Sequence, residues 1–600
     1  MRRLVMFFVS AALVAACSDS DQGGVGDVGP GDTLFGDSGD VTATDATGPD
    51  ATPDTSDTTS TPDTTDTSLV PDTTPDTTSS DTTDTQNEVV DQQICLPGLY
   101  ICNSISLRAQ CAPDGKSYLP PEPCGEDESC RNGVCTPRCP NDPKFGVYVG
   151  CEFWATDLPN YPDPTLSPTP ENLPWALVIS NPGTTDVRVG FEMPPLFNYA
   201  PPDDTVPGGQ SRTFQLPNIN VQGTSLMPKG VYVIATGPVL VHQFNPWDNR
   251  FSNDASMLLP EPLLGRDYVI LSWATSPFDL VPIPGFPTPP NQNGYFTVIA
   301  AYPNTSVTFT VTAPVRASGA IPKLNPGSTH TVRLNRGDVL SIQADPESLL
   351  SPADISGSIV SADKPIAVFG GHEQAVVGDP YEVQDENGLR MESPCCADHL
   401  EEQMLPIELL STRYYAPKSP PRGTSSIEDD FWRIQAAQDN VQVTTNPAQV
   451  GANNVTLAKK GDYITVKTNQ SFEVVGTGKL QIGQYLTARD TTEDFIGDSS
   501  LVLMVPSDRY RKDYAFAVPA GYTSLRVAIV RQTNAAITVD GQPVSGSFTP
   551  IASTGWEVGY VTVTPGYHVA SSAGRFGLFV YGYSNAVSFS YIGGLAGPGE

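Results

Sequence analysis

From about Phe145 onward, short runs rich in Val, Ile, Thr, Tyr and Phe recur between Gly, Pro, Asn and Asp. Phe296 to Ala300, Ser306 to Val311 and Tyr560 to Val563 are examples. Apolar residues at every second position set one face of an extended chain against a core, so each run predicts a strand. A single stretch, Asp398 to Leu410, reads as helical. There Asp398 would be the N-cap, with Glu401 three residues on in a capping-box position. The expected class is all-β.

Two motifs repeat along this region. In one, a proline after Leu, Met or Val is followed eight residues later by a tyrosine: Pro260 to Tyr268, Pro406 to Tyr414 and Pro506 to Tyr514. Asp254, Asp398 and Asp498 stand six to eight residues before these prolines. In the other, alternating apolar residues flank a turn-like centre, as in Gly230 to Phe244 around Pro238. That pattern predicts hairpins near 230–246, 357–373, 471–487 and 567–583. The motifs alternate, giving four β-units. Copies lie too far apart for single propeller blades of about 45 residues. Tandem β-sandwich-like modules are therefore expected, with a β-propeller as the alternative.

The N-terminal part has another texture. Met1-Arg2-Arg3 precedes an apolar run from Leu4 to Ala16, too short for a spanning helix, which needs roughly 20 residues. The run ends in Val14-Ala15-Ala16-Cys17, which resembles a bacterial lipobox with Cys17 as the lipidated residue. Residues 1–17 are thus expected to be a lipoprotein signal peptide. From 18 to 93 the chain is mostly Asp, Thr, Ser, Pro and Gly, with no Lys or Arg. This stretch contains 17 Asp and one Glu, about half of the net charge of −34. It buries too little apolar surface to offset chain entropy and predicts a disordered stalk. The acidic balance argues against nucleic acid as a partner.

Cysteine density marks the next boundary. Cys95, Cys102, Cys111, Cys124, Cys130, Cys135 and Cys139 fall in one short segment, and Cys151 follows. In an exported chain this reads as a disulfide framework, with Cys151 completing the eight. Zinc at Cys130, Cys135 and Cys139 is the rival, weakened by the lack of a nearby histidine. Cys395 and Cys396 form a separate adjacent pair. The expected layout is a cysteine-rich module over 94–144 and repeated β-modules over 145–594.

Several blocks in the β-region carry a family resemblance. Gly150-Cys-Glu-Phe-Trp154, Phe244-Asn-Pro246, Ser252 to Pro260, Lys364 to His372 and Ala397-Asp-His-Leu-Glu-Glu-Gln403 resemble the IgG Fc-binding protein N-terminal domain family. That family occurs in mammalian mucus proteins and in secreted lipoproteins of predatory and soil bacteria. The resemblance covers about 145–594 and implies an extracellular binding or adhesive module, not an enzyme. The family name comes from the mucus proteins and does not make immunoglobulin the expected ligand here. The chain departs from the family in a long acidic loop after His372 that ends at Cys395-Cys396.

Catalytic patterns are incomplete. His372-Glu373 begins a zinc-protease motif, but Val376 stands where its second histidine belongs. Gly497-Asp498-Ser499 begins like a lipolytic serine block, yet it lies on the repeated Asp-to-Pro motif, and no Asp-x-x-His follows. No phosphate loop appears, and no cofactor is expected. His372, Asp398, His399, Glu401 and Glu402 cluster in sequence. Capping of a helix is the favoured role for Asp398 and Glu401, and Ca²⁺ or Zn²⁺ binding the rival. Trp154, Trp175, Trp247, Trp273, Trp432 and Trp556 are expected to pack in the core or at its rim, with a carbohydrate platform as the alternative.

The expected whole is a surface-exposed, outer-membrane lipoprotein bound to lipid through Cys17. It would bind an extracellular protein or glycan without turnover, through the loop region His372 to Gln403. A structural envelope component is the alternative, and a metal-dependent hydrolase of extracellular polymers a more distant one.

Overall fold

The computed structural model describes residues 95–600 apart from 105, 126–127, 132, 138, 141, 143, 163–167, 194–203, 249, 251, 276–291, 347–351, 380, 386–387, 393–395 and 425; over 381–392 only the backbone course is described. Cys17, the stretch 18–93 and Cys395 lie outside the described residues.

Among the described residues all regular structure is β-strand or short 3-10 turn. One strand plan recurs four times. The first module contains β1 (Gly150–Ala155), β2 (Trp175–Asn181), β3 (Val187–Glu192), β4 (Gln210–Leu216), β5 (Val231–Asn245) and β6 (Asp254–Met257). The N-terminal half of β5 pairs with β1 and β3 in one sheet. Its C-terminal half pairs with β2 and β6 in a second sheet, which β4 extends through β2. A single long strand therefore belongs to both sheets of a sandwich-like unit.

The second module contains β7 (Asp267–Val269), β8 (Gly294–Ala300), β9 (Thr305–Thr310), β10 (Val339–Gln343), β11 (Ile359–Ala362), β12 (Ile366–Ala375) and β13 (Asp398–Gln403). Here Lys364-Pro365 divides the long strand. β11 pairs with β7 and β9, and β12 with β8 and β13. The third module has β14 (Ser411–Ala416), β15 (Asp430–Ala436), β16 (Val441–Asn446), β17 (Tyr463–Thr468), β18 (Phe472–Leu486) and β19 (Ser500–Leu503). The fourth has β20 (Arg511–Val518), β21 (Ser524–Gln532), β22 (Ile537–Val539), β23 (Trp556–Thr562), β24 (Gly566–Ser584) and β25 (Val587–Ile592). Their long strands β18 and β24 repeat the pairing of β5.

The expected hairpins are therefore not hairpins. At 230–246, 471–487 and 567–583 the chain runs on in one direction, and at 357–373 its two halves lie in different sheets. Alternation on both sides of a Gly, Pro or Lys centre looks the same whether the chain reverses or passes from one sheet to the next. The pairing register of β5 with β1 breaks between Ile234 and Val239, beside Pro238, which has no N–H to offer a ladder.

The repeated Pro-to-Tyr motif has a clear structural cause. Each proline opens a 3-10 turn, at Glu261–Leu263, Ile407–Leu409 and Ser507–Arg509. The tyrosine then folds back across that turn. Tyr268 OH accepts from the Gly265 N–H at 2.9 Å and donates to the Ile366 carbonyl at 2.7 Å. Tyr414 accepts from Ser411 N–H at 3.1 Å and donates to Leu480 O. Tyr514 accepts from Arg511 N–H at 2.9 Å and donates to Phe576 O. Each buried hydroxyl thus satisfies backbone groups that the turn and the irregular long strand would otherwise leave without partners.

The four modules close on one another. β6, β13, β19 and β25 meet in a cycle: β6 with β13, β13 with β19, β19 with β25, and β25 with β6. The sandwich-like modules are present, and their second sheets share a central axis. Backbone meets backbone between the second and third modules, where a Cβ on Gly357 (φ +91°) would come within 2.9 Å of Gly461 O. The seam between the first and fourth modules is closed by the chain ahead of β1. Ala515 N–H donates to Tyr148 OH at 2.9 Å, and Arg511 pairs with Glu600 at 2.6 Å, whose other oxygen accepts from Val147 N–H at 3.3 Å. One hydrophobic core runs through all four modules, with Trp154, Trp175 and Trp432 fully buried.

Ahead of the ring, Cys95–Cys111, Cys102–Cys130 and Cys124–Cys135 cross-link the cysteine-rich segment. Cys139–Cys151 ties it to β1. Cys396 is also disulfide-bonded, and its partner is none of these eight.

Candidate functional site

The side chains singled out in the sequence come together at the ring axis, but not as a surface loop. His372 lies on β12, and Asp398, His399, Glu401 and Glu402 lie on β13; all five are at most 1% exposed. The helix expected over Asp398 to Leu410 is a strand followed by a 3-10 turn. Asp398 therefore caps no helix, and Glu401 completes no capping box. The polar run fits a buried strand because its partners arrive from the other three modules.

Asp254 is the hub. Its carboxyl accepts from Glu401 N–H at 3.2 Å in the second module, from Ser500 Oγ at 2.7 Å and Leu501 N–H at 2.9 Å in the third, and from Ser590 N–H at 3.4 Å in the fourth. Asp398 answers from the second module, accepting from Asn253 N–H at 2.6 Å and Ser588 N–H at 3.2 Å. Glu401 accepts from Ser256 Oγ at 3.0 Å, and Glu402 from Leu503 N–H at 3.3 Å. Asp498 N–H reaches Ser588 Oγ at 2.8 Å. A Cβ on Gly497 (φ +75°) would lie 2.8 Å from that same oxygen, so glycine is required beside Asp498.

Burial controls the electrostatics, opposed at Asp498 by the charge of Arg422. It pushes the carboxyls of Asp254, Asp398, Glu401 and Glu402 well above their usual range, and that of Asp498 to about 7. The same burial holds His242, His372 and His399 down at about 3. His399 and Glu401 approach to 3.7 Å as uncharged groups, so their contact is not a salt bridge. His372 Nε2 lies 3.2 Å from Ala274 O, and its Nδ1 accepts from Gln374 N–H at 3.1 Å. His399 sits between Glu373 O and Tyr295 OH, each at 3.4 Å. His372 and His399 serve as neutral hydrogen-bonding groups. No group of three or more His, Cys, Asp or Glu side chains among the described residues is arranged to hold a metal ion.

The other sequence candidates are also built into packing. Ser499 Oγ accepts from Val377 N–H at 3.2 Å, beneath the surface. Of the half-buried tryptophans, Trp273 stacks under Arg433 and against Tyr485, Trp556 packs on Tyr415, and Trp247 on Phe244. Sequence reasoning missed the hydroxyl partners Ser500, Ser588 and Ser590. It also missed the buried ionic group of Lys418, Arg422, Glu428 and Asp430. Their only local trace is a pair of cations among prolines, Lys418-Ser-Pro-Pro-Arg422, followed by Glu428-Asp-Asp430.

Fold and axis together define a scaffold. The ionisable groups at the centre join modules, and the loops that connect strands are what such a frame presents outward. Residues 254–582 match the family described as IgGFc binding protein, and the chain belongs to that family. The match opens at Asp254 itself and closes within β24. Human IgGFc-binding protein is 25% identical over 355 residues, which cover 56% of this chain and 6% of the human protein. The chain thus spans a small part of that relative's length. Its family is one of binding proteins, and its disulfides mark a chain that matures in an oxidising, extracytoplasmic compartment. No helix among the described residues is long and apolar enough to cross a membrane.

Proposed function

We propose that the chain is a cell-surface lipoprotein that displays the four-module ring as a non-catalytic binding or adhesion module. Cys17 carries the lipid in the outer membrane, residues 18–93 are the acidic stalk, 94–144 the cysteine-rich module and 145–594 the binding ring. The ligand class is an extracellular protein or glycan. The observation that carries this reading is membership of a binding-protein family, shown over residues 254–582. Two features support it. The axis carboxyls Asp254, Asp398 and Glu401 are engaged in joining modules. The paired strands at 381–392, between β12 and β13, are an addition to the strand plan that the four modules repeat.

Attachment of cells to immobilised mucin, immunoglobulin Fc and a glycan array tests the reading. Cells making a chain without 381–392 should lose attachment to the bound surface, while the purified variant unfolds at the wild-type temperature. Full attachment by that variant would move the binding surface elsewhere on the ring. Release of the Cys17→Ser protein into the medium is expected. A Cys17→Ser protein that stays with membranes would remove the anchor.

A further inference from the structure

Lys418, just after β14, meets Asp430, the first residue of β15, inside the third module. Both side chains are buried, at 4% and 0% exposure, and Lys418 Nζ lies 2.8 Å from Asp430 Oδ1. Glu428 Oε1 stands 3.5 Å from the same nitrogen, with its side chain 2% exposed. Ser419 N–H donates to Asp430 Oδ2 at 2.8 Å, and Gln484 Nε2 to the same oxygen at 2.5 Å. Ser419 Oγ bonds Oδ1 at 2.9 Å and Lys418 Nζ at 2.5 Å. Arg422 Nε holds Glu428 at 3.1 Å and is itself bound to Thr487. Tyrosines of the fourth module cover the group: Tyr560 OH donates to Lys418 O, Tyr583 OH to Pro420 O and Tyr581 OH to Gln484 Oε1.

We infer that Lys418 and Asp430 are joined by an intramolecular amide bond, formed inside the folded module with Glu428 carrying the proton. An amine and a carboxyl in contact, shielded from water, are what condensation requires. Such fixed geometry is worth an effective concentration of about 10⁵–10⁸ M. Lys418 passes one proton to Asp430 Oδ1, leaving a neutral amine and a neutral acid. The amine lone pair attacks Asp430 Cγ and the C–N bond forms. Negative charge collects on Oδ2, where Ser419 N–H and Gln484 Nε2 already point. Glu428 takes a proton from the attacking nitrogen and delivers it to the Oδ1 hydroxyl. The C–O bond breaks, one water leaves, and Glu428 is regenerated. Burial opposes the charge on Glu428, but the Lys418 and Arg422 charges outweigh it and keep its carboxyl below the usual range, so it can accept a proton. Condensation removes one cation and one anion together and leaves Arg422 and Glu428 as a balanced pair. A buried ion pair gives up little stability in that exchange, because desolvation has already cancelled much of its attraction.

Tryptic mapping of the purified full chain decides the matter. An amidated Lys418 resists trypsin while Arg422 is still cut, so residues 414–422 should appear joined to 423–433 as a branched species with two N-termini, Tyr414 and Gly423, which distinguishes it from an uncut linear 414–433 of the same mass. Glu428→Gln should leave Lys418 open to trypsin, so that 414–418, 419–422 and 423–433 appear as separate peptides. Lys418→Arg should abolish the joined species as well. Complete cleavage after Lys418 in the wild-type chain, with no joined peptide, overturns the proposal without any variant having to fold. A joined peptide formed by Glu428→Gln at the wild-type yield would overturn the role of Glu428.

Discussion

The cysteine-rich segment and the ring reach stability by opposite means. In the segment, Leu96, Leu99 and Val134 remain 63%, 57% and 57% exposed, and three disulfides close loops of 11 to 28 residues. So short a stretch has little interior, and cross-links restrict its unfolded state instead. The ring has a continuous apolar core and adds buried polar bonds in which one module's carboxyl meets another's N–H. Covalent closure acts locally, whereas shared hydrogen bonds make four modules depend on one another.

The pH dependence should separate the two regions most sharply. Asp157, Asp254, Glu261, Glu373, Asp398, Glu401, Glu402 and Asp498 are all raised by burial, so their contribution is complete below pH 4 and is lost as pH rises toward and through 7. His242, His372 and His399 are held at about 3, so their contribution is complete above about pH 6.5 and is lost as pH falls toward 3. From pH 7 down to about 4 the more numerous raised carboxyls prevail; below that the histidine loss continues and is joined by the loss from Asp354 and Glu428, whose carboxyls, against the effect of burial, are held below the usual range by Arg433 and by Lys418 and Arg422 respectively. Calorimetry should show the ring's Tm rising from pH 7 to 5 and falling below 4. A Tm that drops steadily from pH 7 to 5 would mean the axis carboxyls are ionised.

Asp254→Ala comes next. It strands donors from three modules, each costing about 1–3 kcal/mol when buried without a partner. Denaturant unfolding of the ring should shift by several kcal/mol while the disulfides stay intact; an unchanged midpoint would deny the hub. The paired change Cys102→Ser with Cys130→Ser should cost about 2–4 kcal/mol, confined to the cysteine-rich segment. Hydrogen exchange would detect it there, and faster exchange in β6 or β13 would break the contrast between local and shared stability. The smallest effect is Tyr414→Phe, about 1 kcal/mol for one hydroxyl between backbone groups. Its Tm should fall slightly, and a fall as large as that of Asp254→Ala would show the 3-10 turns to be as critical as the axis.

Much of this plan can be read in the chain. The spacing of Pro260, Pro406 and Pro506 to their tyrosines marks three real turns, and Asp254, Asp398 and Asp498 mark the approach to the axis. The strand class follows from alternation alone. What local pattern could not convey is where a polar strand goes. Asp398 to Gln403 alternates too little to look buried, because the groups that satisfy it lie 101 to 190 residues away, at Asp254, Leu503 and Ser588. The long strands misled for a related reason: a bend between sheets and a reversal share one hydrophobic pattern. The ionic group around Lys418 left almost no local signature, since its cover comes from β23 and β24.

The Cys139–Cys151 bridge determines how the molecule bears load. A pull entering at Cys95 has two covalent routes to Cys135, one through Cys95–Cys111 and Cys124–Cys135 and one through Cys102–Cys130, and it then crosses from Cys139 to Cys151. The Cys102–Cys130 route is the shorter, so extension is limited to the stretches 95–102, 130–135 and 135–139. Tension arrives at β1, whose pairing along β5 resists it in shear. Residues 140–150 form a slack bypass around that path. Tyr148 and the Val147 amide, which close the ring against the fourth module, therefore stay unloaded under such a pull.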